Sequence, residues 1–468
     1  KRLNIFTTKA GGKVNYSLEF KKQYVQENGT FYIYSGGFIN VPSKYKKLDS
    51  DDNLVIDKSY FKDFPKAMVK SGNTLIIKPD AYSLNEKTIQ PQAAMVVVEV
   101  GSGKIKAMVG GRGQSGSRLY NRALNPRQAG SSIKPLSVYG AALQKSFDYA
   151  EKGETWPFVD YKHDKQGVKS YGSYLTASST IVDEQMTFNG KVWPKNASNS
   201  FTGPVTMRKG LQQSINTIAV KIQLQVGNEY SADMLKKFGL TTIVTKGDTS
   251  DMNSAALALG GLTNGVIPLE MAQAYATFPN GGVRQSSIAY TEVTDRHGKV
   301  LLKSKSKKKK VMDEGVAFIM TDMLRTVVSN GIAGAASISG VQAGGKTGTT
   351  NSNYDIWFDG FTPNYAASLW IGTDVNIKLS SMSGMAARLW GRIMNQVPNA
   401  KNGKYKSMPN DVVKVGSEYY TKGTEKGRST YVQPKPTPQQ KQYEEDDDTD
   451  DDTSQSSSNT NSGPTIPG

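Results

Sequence analysis

The longest uninterrupted apolar run in this 468-residue chain, residues 93–98, is six residues long. That length suits a buried strand and falls far short of the ~18 residues a membrane-spanning helix needs. A chain limited to such runs has to build its core by layering short strands against amphipathic helices. Residues 95–100, the turn Gly101-Ser102-Gly103 and residues 105–109 predict a hairpin of two buried strands. Strand character returns only far downstream, at 345–350, 354–361 and 365–371, the last two flanking the turn composition Thr362-Pro363-Asn364. Helical patterns fill the interval, at 132–143, 205–213, 217–226 and 316–328. The order of hairpin, helices and meander predicts an α+β domain, with helices packed on an antiparallel sheet.

The flanks read differently. Residues 1–90 are polar, with short runs such as Phe31-Tyr32-Ile33-Tyr34 and Thr74-Leu75-Ile76-Ile77 bounded by turn clusters such as Ser71-Gly72-Asn73. They predict a small β-rich module. The main domain is expected over 91–400. Residues 401–435, with Val412, Val413, Val415, Tyr419 and Tyr420, are expected to form a small β appendage. Residues 436–468 are acidic and Ser-rich, cannot bury apolar surface, and are expected to be disordered. Six lysines and two serines at 303–310 read as a solvated hairpin tip, with contact to an anionic polymer as the alternative.

Composition removes several chemistries. There is no cysteine, so disulfides, thiol nucleophiles and cysteine-ligated metals are excluded. The only histidines are His163 and His297, too few for a multi-histidine metal site. The net charge is +17, and without the eight acids between Glu444 and Asp452 the remainder carries +25. Such a body is drawn to nucleic acid, an anionic membrane or an anionic wall polymer, and the sign alone does not choose. The chain starts at Lys1 without methionine and is read as a fragment whose anchor lies upstream.

Three short motifs carry the chemistry. Ser131-Ser132-Ile133-Lys134 has the form S-x-x-K; at a helix start, positions i and i+3 share a face, so Ser131 and Lys134 can meet. A serine hydroxyl becomes a nucleophile when a base takes its proton, and a desolvated, neutral lysine is such a base. Alone the motif is weak, since S-x-x-K also starts at Ser43, Ser59, Ser304 and Ser306. Ser214-Ile215-Asn216 follows 83 residues later, between two expected helices, where polar residues are usually caps. Lys346-Thr347-Gly348-Thr349-Thr350 lies on an expected strand, and its glycine marks close approach of a ligand or another backbone. In this order the three match the S-x-x-K, S-D-N and K-T-G signature of class A β-lactamases and penicillin-binding proteins, differing only at the centre of the second.

The surrounding residues make the resemblance specific. Arg127-Gln128-Ala129-Gly130-Ser131-Ser132-Ile133-Lys134-Pro135, Trp193-Pro194-Lys195-Asn196, Leu211-Gln212-Gln213-Ser214-Ile215-Asn216-Thr217 and Ala258-Leu259-Gly260 resemble the transpeptidase half of class A penicillin-binding proteins. So do Pro268-Leu269-Glu270-Met271-Ala272 and Asp355, Trp357, Phe358, Gly360, Thr362 and Pro363 after the third motif. The likeness covers roughly 91–400; the family's glycosyltransferase half and membrane anchor are absent. The resemblance implies the penicilloyl-serine transpeptidase fold, which is serine β-lactamase-like, and peptidoglycan cross-linking at the extracellular face of the bacterial membrane. It implies Ser131 as nucleophile, Lys134 as general base, Ser214 as proton relay, Asn216 as holder of the donor amide and Lys346 as source of positive potential. Thr347, Gly348, Thr349 and Trp193 are implied in substrate binding, and the N–H groups of Ser131 and Thr349 in the oxyanion hole. The partners implied are donor and acceptor stem peptides, β-lactams, the membrane through the missing segment and the wall-synthesis machinery, with no cofactor, metal or nucleic acid.

Three other readings differ in one feature each. A class A β-lactamase needs a deacylating glutamate, and no E-x-x-L-N segment is present. A D,D-carboxypeptidase uses water as acceptor, and a β-lactam sensor needs no acceptor at all. The loops of 151–200, with Trp156, Tyr161, Tyr171, Tyr174 and Trp193, are where an acceptor groove is expected.

Overall fold

The computed structural model describes residues 4–425, excepting 11–12, 20–22, 28–29, 35, 51–53, 73, 86, 114–118, 160–169, 189 and 381. The tail expected over 436–468, the last ten residues of the appendage and Tyr161 lie outside the described residues.

One antiparallel sheet organises the main body. Its strands are β1 (Gln92–Glu99), β2 (Ile105–Val109), β3 (Gly344–Thr349), β4 (Asp355–Phe361) and β5 (Tyr365–Gly372). They lie in the order β2-β1-β5-β4-β3. The hairpin and the meander thus join edge to edge, with Val96 opposite Ser368 and Lys346 opposite Asp359. Strands β4 and β5 are buried along their whole length because both faces are covered. Side chains alternate between faces. Phe358 meets Trp390 of a covering helix at 5.0 Å, while Trp357, on the other face, donates to the Gln128 carbonyl at 2.7 Å.

Among the described residues, eight α-helices lie between 140 and 394, four of them in the stretches expected from the sequence. They are α1 (Gly140–Glu151), α2 (Met207–Gln212), α3 (Asn216–Val226), α4 (Asn228–Phe238), α5 (Ser254–Leu259), α6 (Pro268–Ala276), α7 (Glu314–Ser329) and α8 (Gly384–Met394). The expected helix at 205–213 begins only at Met207, because Val205 belongs to the strand Gly203–Thr206, paired with Thr180–Asp183. One large apolar cluster runs through Val96, Leu136, Ile218, Met320, Trp357 and Trp390. A separate small one, with Val41, Tyr60 and Met68, holds the β-rich N-terminal part.

Two surface features matter later. Val412–Val415 and Glu418–Thr421 pair as a hairpin, and Glu418 forms an ion pair with Arg208 of α2. The lysine run is no hairpin tip. Val300–Lys303 pairs with Glu292–Thr294 and Lys308–Lys310 with the half-buried Val283–Gln285, so the run spans parts of two ladders and the link between them. Among the described residues no helix is long and apolar enough to cross a membrane.

Candidate active site

Ser131 sits in a tight 3₁₀ turn, Gly130–Ile133, that opens a continuous helix. Pro135 has no amide hydrogen, and over Pro135–Tyr139 the chain widens into a π turn, with the Gly140 N–H donating to the Pro135 carbonyl. A side chain at Gly140 would stand 2.6 Å from that oxygen. The helix expected at 132–143 is therefore present, but only its last part is α-helical. Such π turns recur at functional sites.

The segment before Ser131 is clamped to the sheet. Arg127 Nε donates to Asp355 Oδ1 at 2.8 Å, Trp370 Nε1 donates to the same oxygen at 2.8 Å, and the guanidinium lies over the Trp370 ring. Gly130 has φ +54°, and a Cβ there would stand 2.3 Å from the Thr349 carbonyl oxygen. Only glycine fits both demands. The nucleophile turn consequently rests on the end of β3, beside Thr349. Ser131 is half-buried, and its hydroxyl makes no hydrogen bond with a described residue.

Lys134 is fully buried one turn further on. Its Nζ donates to the Ser214 carbonyl at 2.9 Å and to Asn216 Oδ1 at 2.7 Å, with Ser214 Oγ at 3.4 Å. From β3, Lys346 Nζ donates to the same Ser214 Oγ at 2.7 Å. Ser214 joins α2 to α3 with φ +57°, a left-handed conformation that costs a non-glycine residue about 1 kcal/mol. In this turn both its oxygens face the lysines. Burial, followed by the Lys346 charge, holds the Lys134 ammonium well below the usual lysine range, while burial lowers Lys346 to about 7. Two lysines in one dry pocket cannot both be charged cheaply; one is held neutral beside a cation.

The four polar residues Lys134, Ser214, Asn216 and Lys346 therefore converge as the motifs imply. A cleft of about 620 Å³ is lined by Gly130, next to Ser131 in the chain, and by Trp193, Asn253, Gly260, Thr349 and Asn376 among others; the four polar residues themselves are not in its wall. Thr349 and Trp193 reach this cleft. Thr347 is buried, its hydroxyl 3.4 Å from Lys346 Nζ, so it faces the lysine and not the cleft. At Gly348 the close approach is to backbone: a Cβ there would stand 2.4 Å from the Ala129 carbonyl oxygen. Trp156 and Tyr174, expected in an acceptor groove, are buried instead, Trp156 stacking on Tyr149 beneath Lys145. Aromatic residues in a polar stretch covered the end of α1. For Tyr171 only the backbone is described, in the short strand Ser170–Tyr171. Sequence reasoning gave no role to Asn196 or Asp183, which hold Asn216 in place; Asn196 stood in the resembling segment, but nothing local pointed to its partners.

Residues 174–395 match the penicillin binding protein transpeptidase domain, a span that holds the second and third motifs and begins after Ser131 and Lys134. Penicillin-binding protein 1A of Clostridium botulinum (strain Langeland) is 38% identical over 337 residues, covering 70% of this chain and 38% of that protein. The Clostridium acetobutylicum protein of the same name is 32% identical over 424 residues, covering 90% and 48%. The chain thus spans less than half the length of either relative. Among solved structures, penicillin-binding protein 1A from Haemophilus influenzae superposes with a TM-score of 0.59 at 24% identity, covering 89% of this chain and 64% of that one. PonA1 from Mycobacterium tuberculosis, solved in complex with penicillin V, gives 0.55 at 18% identity, covering 73% and 84%. At these identities the two structures speak for the fold.

Proposed function

Because the chain carries the transpeptidase domain of the class A penicillin-binding proteins, we propose that it cross-links peptidoglycan stem peptides through an acyl-enzyme on Ser131, releasing D-Ala, and that β-lactams acylate the same serine. The observation that carries this reading is the buried pair of lysines sharing Ser214, with Lys134 three residues after Ser131 in one helical segment. The proposed setting is the extracellular face of a bacterial membrane, through an anchor in the longer protein, with the wall-synthesis machinery as partner.

Ser131 Oγ attacks the carbonyl of the penultimate D-Ala while neutral Lys134 takes its proton. Charge develops on the carbonyl oxygen, which the N–H groups of Ser131 and Thr349 would receive, a contribution of about 3 kcal/mol per donor. As the tetrahedral intermediate collapses, the C–N bond breaks and the proton passes through Ser214 to the leaving amine. Ser214 suits that relay because it lies within hydrogen-bond range of both Lys134 and Lys346. Asn216 Nδ2 donates to the Lys195 carbonyl at 2.8 Å, which leaves its second hydrogen for a substrate carbonyl. The charge of buried Lys346 attracts the terminal carboxylate, and Thr349, in the cleft wall, offers it a hydroxyl. An acceptor amine then attacks the ester, and the proton returns by the same route.

The lysines set the pH dependence. Acylation needs Lys134 neutral and Lys346 charged, so the second-order acylation rate should fall as pH rises through about 7, where free Lys346 loses its proton. Lys346→Met should erase that descending limb. It should also move the ascending limb to higher pH, because the charge that depresses Lys134 is gone. Asp359, opposite Lys346, is pushed up to about 7 by burial, against the Ser368 and Ser132 hydroxyls. A descending limb that survives in Lys346→Met would belong to it and remove Lys346 from the assignment.

The reading itself is tested by intact mass after incubation with benzylpenicillin. The whole antibiotic should add and stay for many minutes, since no deacylating glutamate segment is present. Rapid return to the native mass would make the protein a β-lactamase.

A further inference from the structure

Helix α3 opens at Asn216, so its first amides have no acceptor within the helix, and the preceding Ile215 has no side chain to cap them. The cap comes from another segment. Asn196 Oδ1 accepts from the Asn216 N–H at 3.0 Å and the Thr217 N–H at 3.3 Å. The orientation of that amide is itself fixed, because Asn196 Nδ2 donates to Asp183 Oδ1 at 2.8 Å and to the Ser200 carbonyl at 3.0 Å.

Asp183 closes the circuit. It accepts from the Thr217 hydroxyl and, through Oδ2, from the Thr202 N–H and hydroxyl, both at 2.8 Å. Asp183 is 1% exposed and Asn196 7%. Burial raises the Asp183 carboxyl, yet the donors around it outweigh burial and hold it below the usual carboxylate range. A carboxylate kept charged in the interior, with every donor accounted for, fixes its neighbours in one arrangement.

The circuit ends at the chemistry. Asn216, held by Asn196 through its N–H and by the Lys195 carbonyl through its amide, presents Oδ1 to Lys134 at 2.7 Å. Trp193, three residues before Asn196, stands in the cleft wall. From this we infer that Asp183 and Asn196 are positioning residues for acyl transfer, acting through Asn216 on Lys134 and tying the base to the Trp193 wall. The inference rests on Lys134 being the base. Among the described residues, the charged group facing Lys134 is Lys346 from β3, and its neutral neighbours are Ser214 and Asn216 from the α2–α3 junction.

An acceptor on Nζ favours the ammonium over the neutral amine. With Asn216 loosened, Lys134 loses that acceptor, so the ascending limb of the acylation profile should move to lower pH while the plateau rate falls. The test is the second-order rate of acylation by benzylpenicillin against pH, with the full chain. Asn196→Ala should lower the plateau by roughly 30-fold, the scale of a displaced catalytic group, and shift the limb downward. Ser146→Ala, which removes a buried hydrogen bond to the Leu175 carbonyl, should lower the melting temperature without moving the limb. Asn196→Asp sets two carboxylates against each other and should be poor; adding Asp183→Asn restores the hydrogen bond between the two side chains in reverse, without the one to the Ser200 carbonyl, and should recover part of the rate.

Unchanged rate and limb in Asn196→Ala overturn the inference. So does a double variant that fails to fold or acylates no faster than Asn196→Asp; this pair decides the matter should Asn196→Ala not fold. A wild-type chain that benzylpenicillin does not acylate would instead sink the transpeptidase reading itself.

Discussion

Ser131→Ala takes up no β-lactam. In intact mass spectra the adduct carried by the wild-type chain is expected to vanish completely, at any antibiotic concentration and incubation time. The loss is chemical, because without Oγ there is no atom to form the ester. The chain has no cysteine to trap the drug elsewhere. The fold should be indifferent: the Ser131 hydroxyl makes no hydrogen bond with a described residue, so its removal leaves no buried partner unsatisfied. Melting temperatures of the two proteins should agree within error. An adduct of the same mass on the alanine variant would mean that another group is the nucleophile.

Lys134→Met is expected to keep the fold and lose roughly 10³–10⁴ of the acylation rate, the upper part of the range for a positioned general base. Methionine follows the lysine stem without the amine. What disappears is the group that takes the Ser131 proton. Burying this lysine works against its charge, which is the condition for its acting as a base at neutral pH. Stopped-flow or quenched mass kinetics would measure the loss. A variant that acylates within about tenfold of wild type would remove Lys134 from proton transfer.

The sheet and the motif residues were legible because their signals are local. Residues 93–98 form an unbroken apolar run, and the largely apolar stretches that flank Thr362-Pro363-Asn364 are interrupted only by Asp355, Asp359, Gly360 and Ser368; each is a strand of the central sheet. Spacing alone did not single out Ser131 and Lys134, since S-x-x-K starts at four other serines; the order of the three motifs pointed to them together with Ser214, Asn216 and Lys346. Helix α8 carries the same kind of local signal: Ala386, Ala387, Trp390 and Met394 lie at helical spacing and all are buried.

Other features had no local signal. The widened turn at Pro135–Tyr139 depends on a proline and a glycine five residues apart meeting in one hydrogen bond. The cap of α3 depends on Asn196, twenty residues from Asn216 in the chain, and on Asp183 beyond it. No periodicity relates such residues; only the folded path does. Trp156 and Tyr174 erred in the opposite direction, since an aromatic side chain in a polar stretch reads equally as cleft wall or as plug. The lysines at 303–310 misled because a charge run looks alike in a tip and in a strand edge.

The central claim is that the acyl group on Ser131 passes to an amine in preference to water, although water is present at tens of molar. A transpeptidase therefore has to hold the amine close to attack geometry and keep water out of it. The direct measurement is product partition, with a thioester or depsipeptide donor and a D-amino acid or authentic stem peptide as acceptor. The account predicts that the aminolysis product dominates and that its share rises with acceptor concentration. Hydrolysis dominating at every acceptor concentration, with authentic stem peptides included, would contradict it and make the protein a D,D-carboxypeptidase.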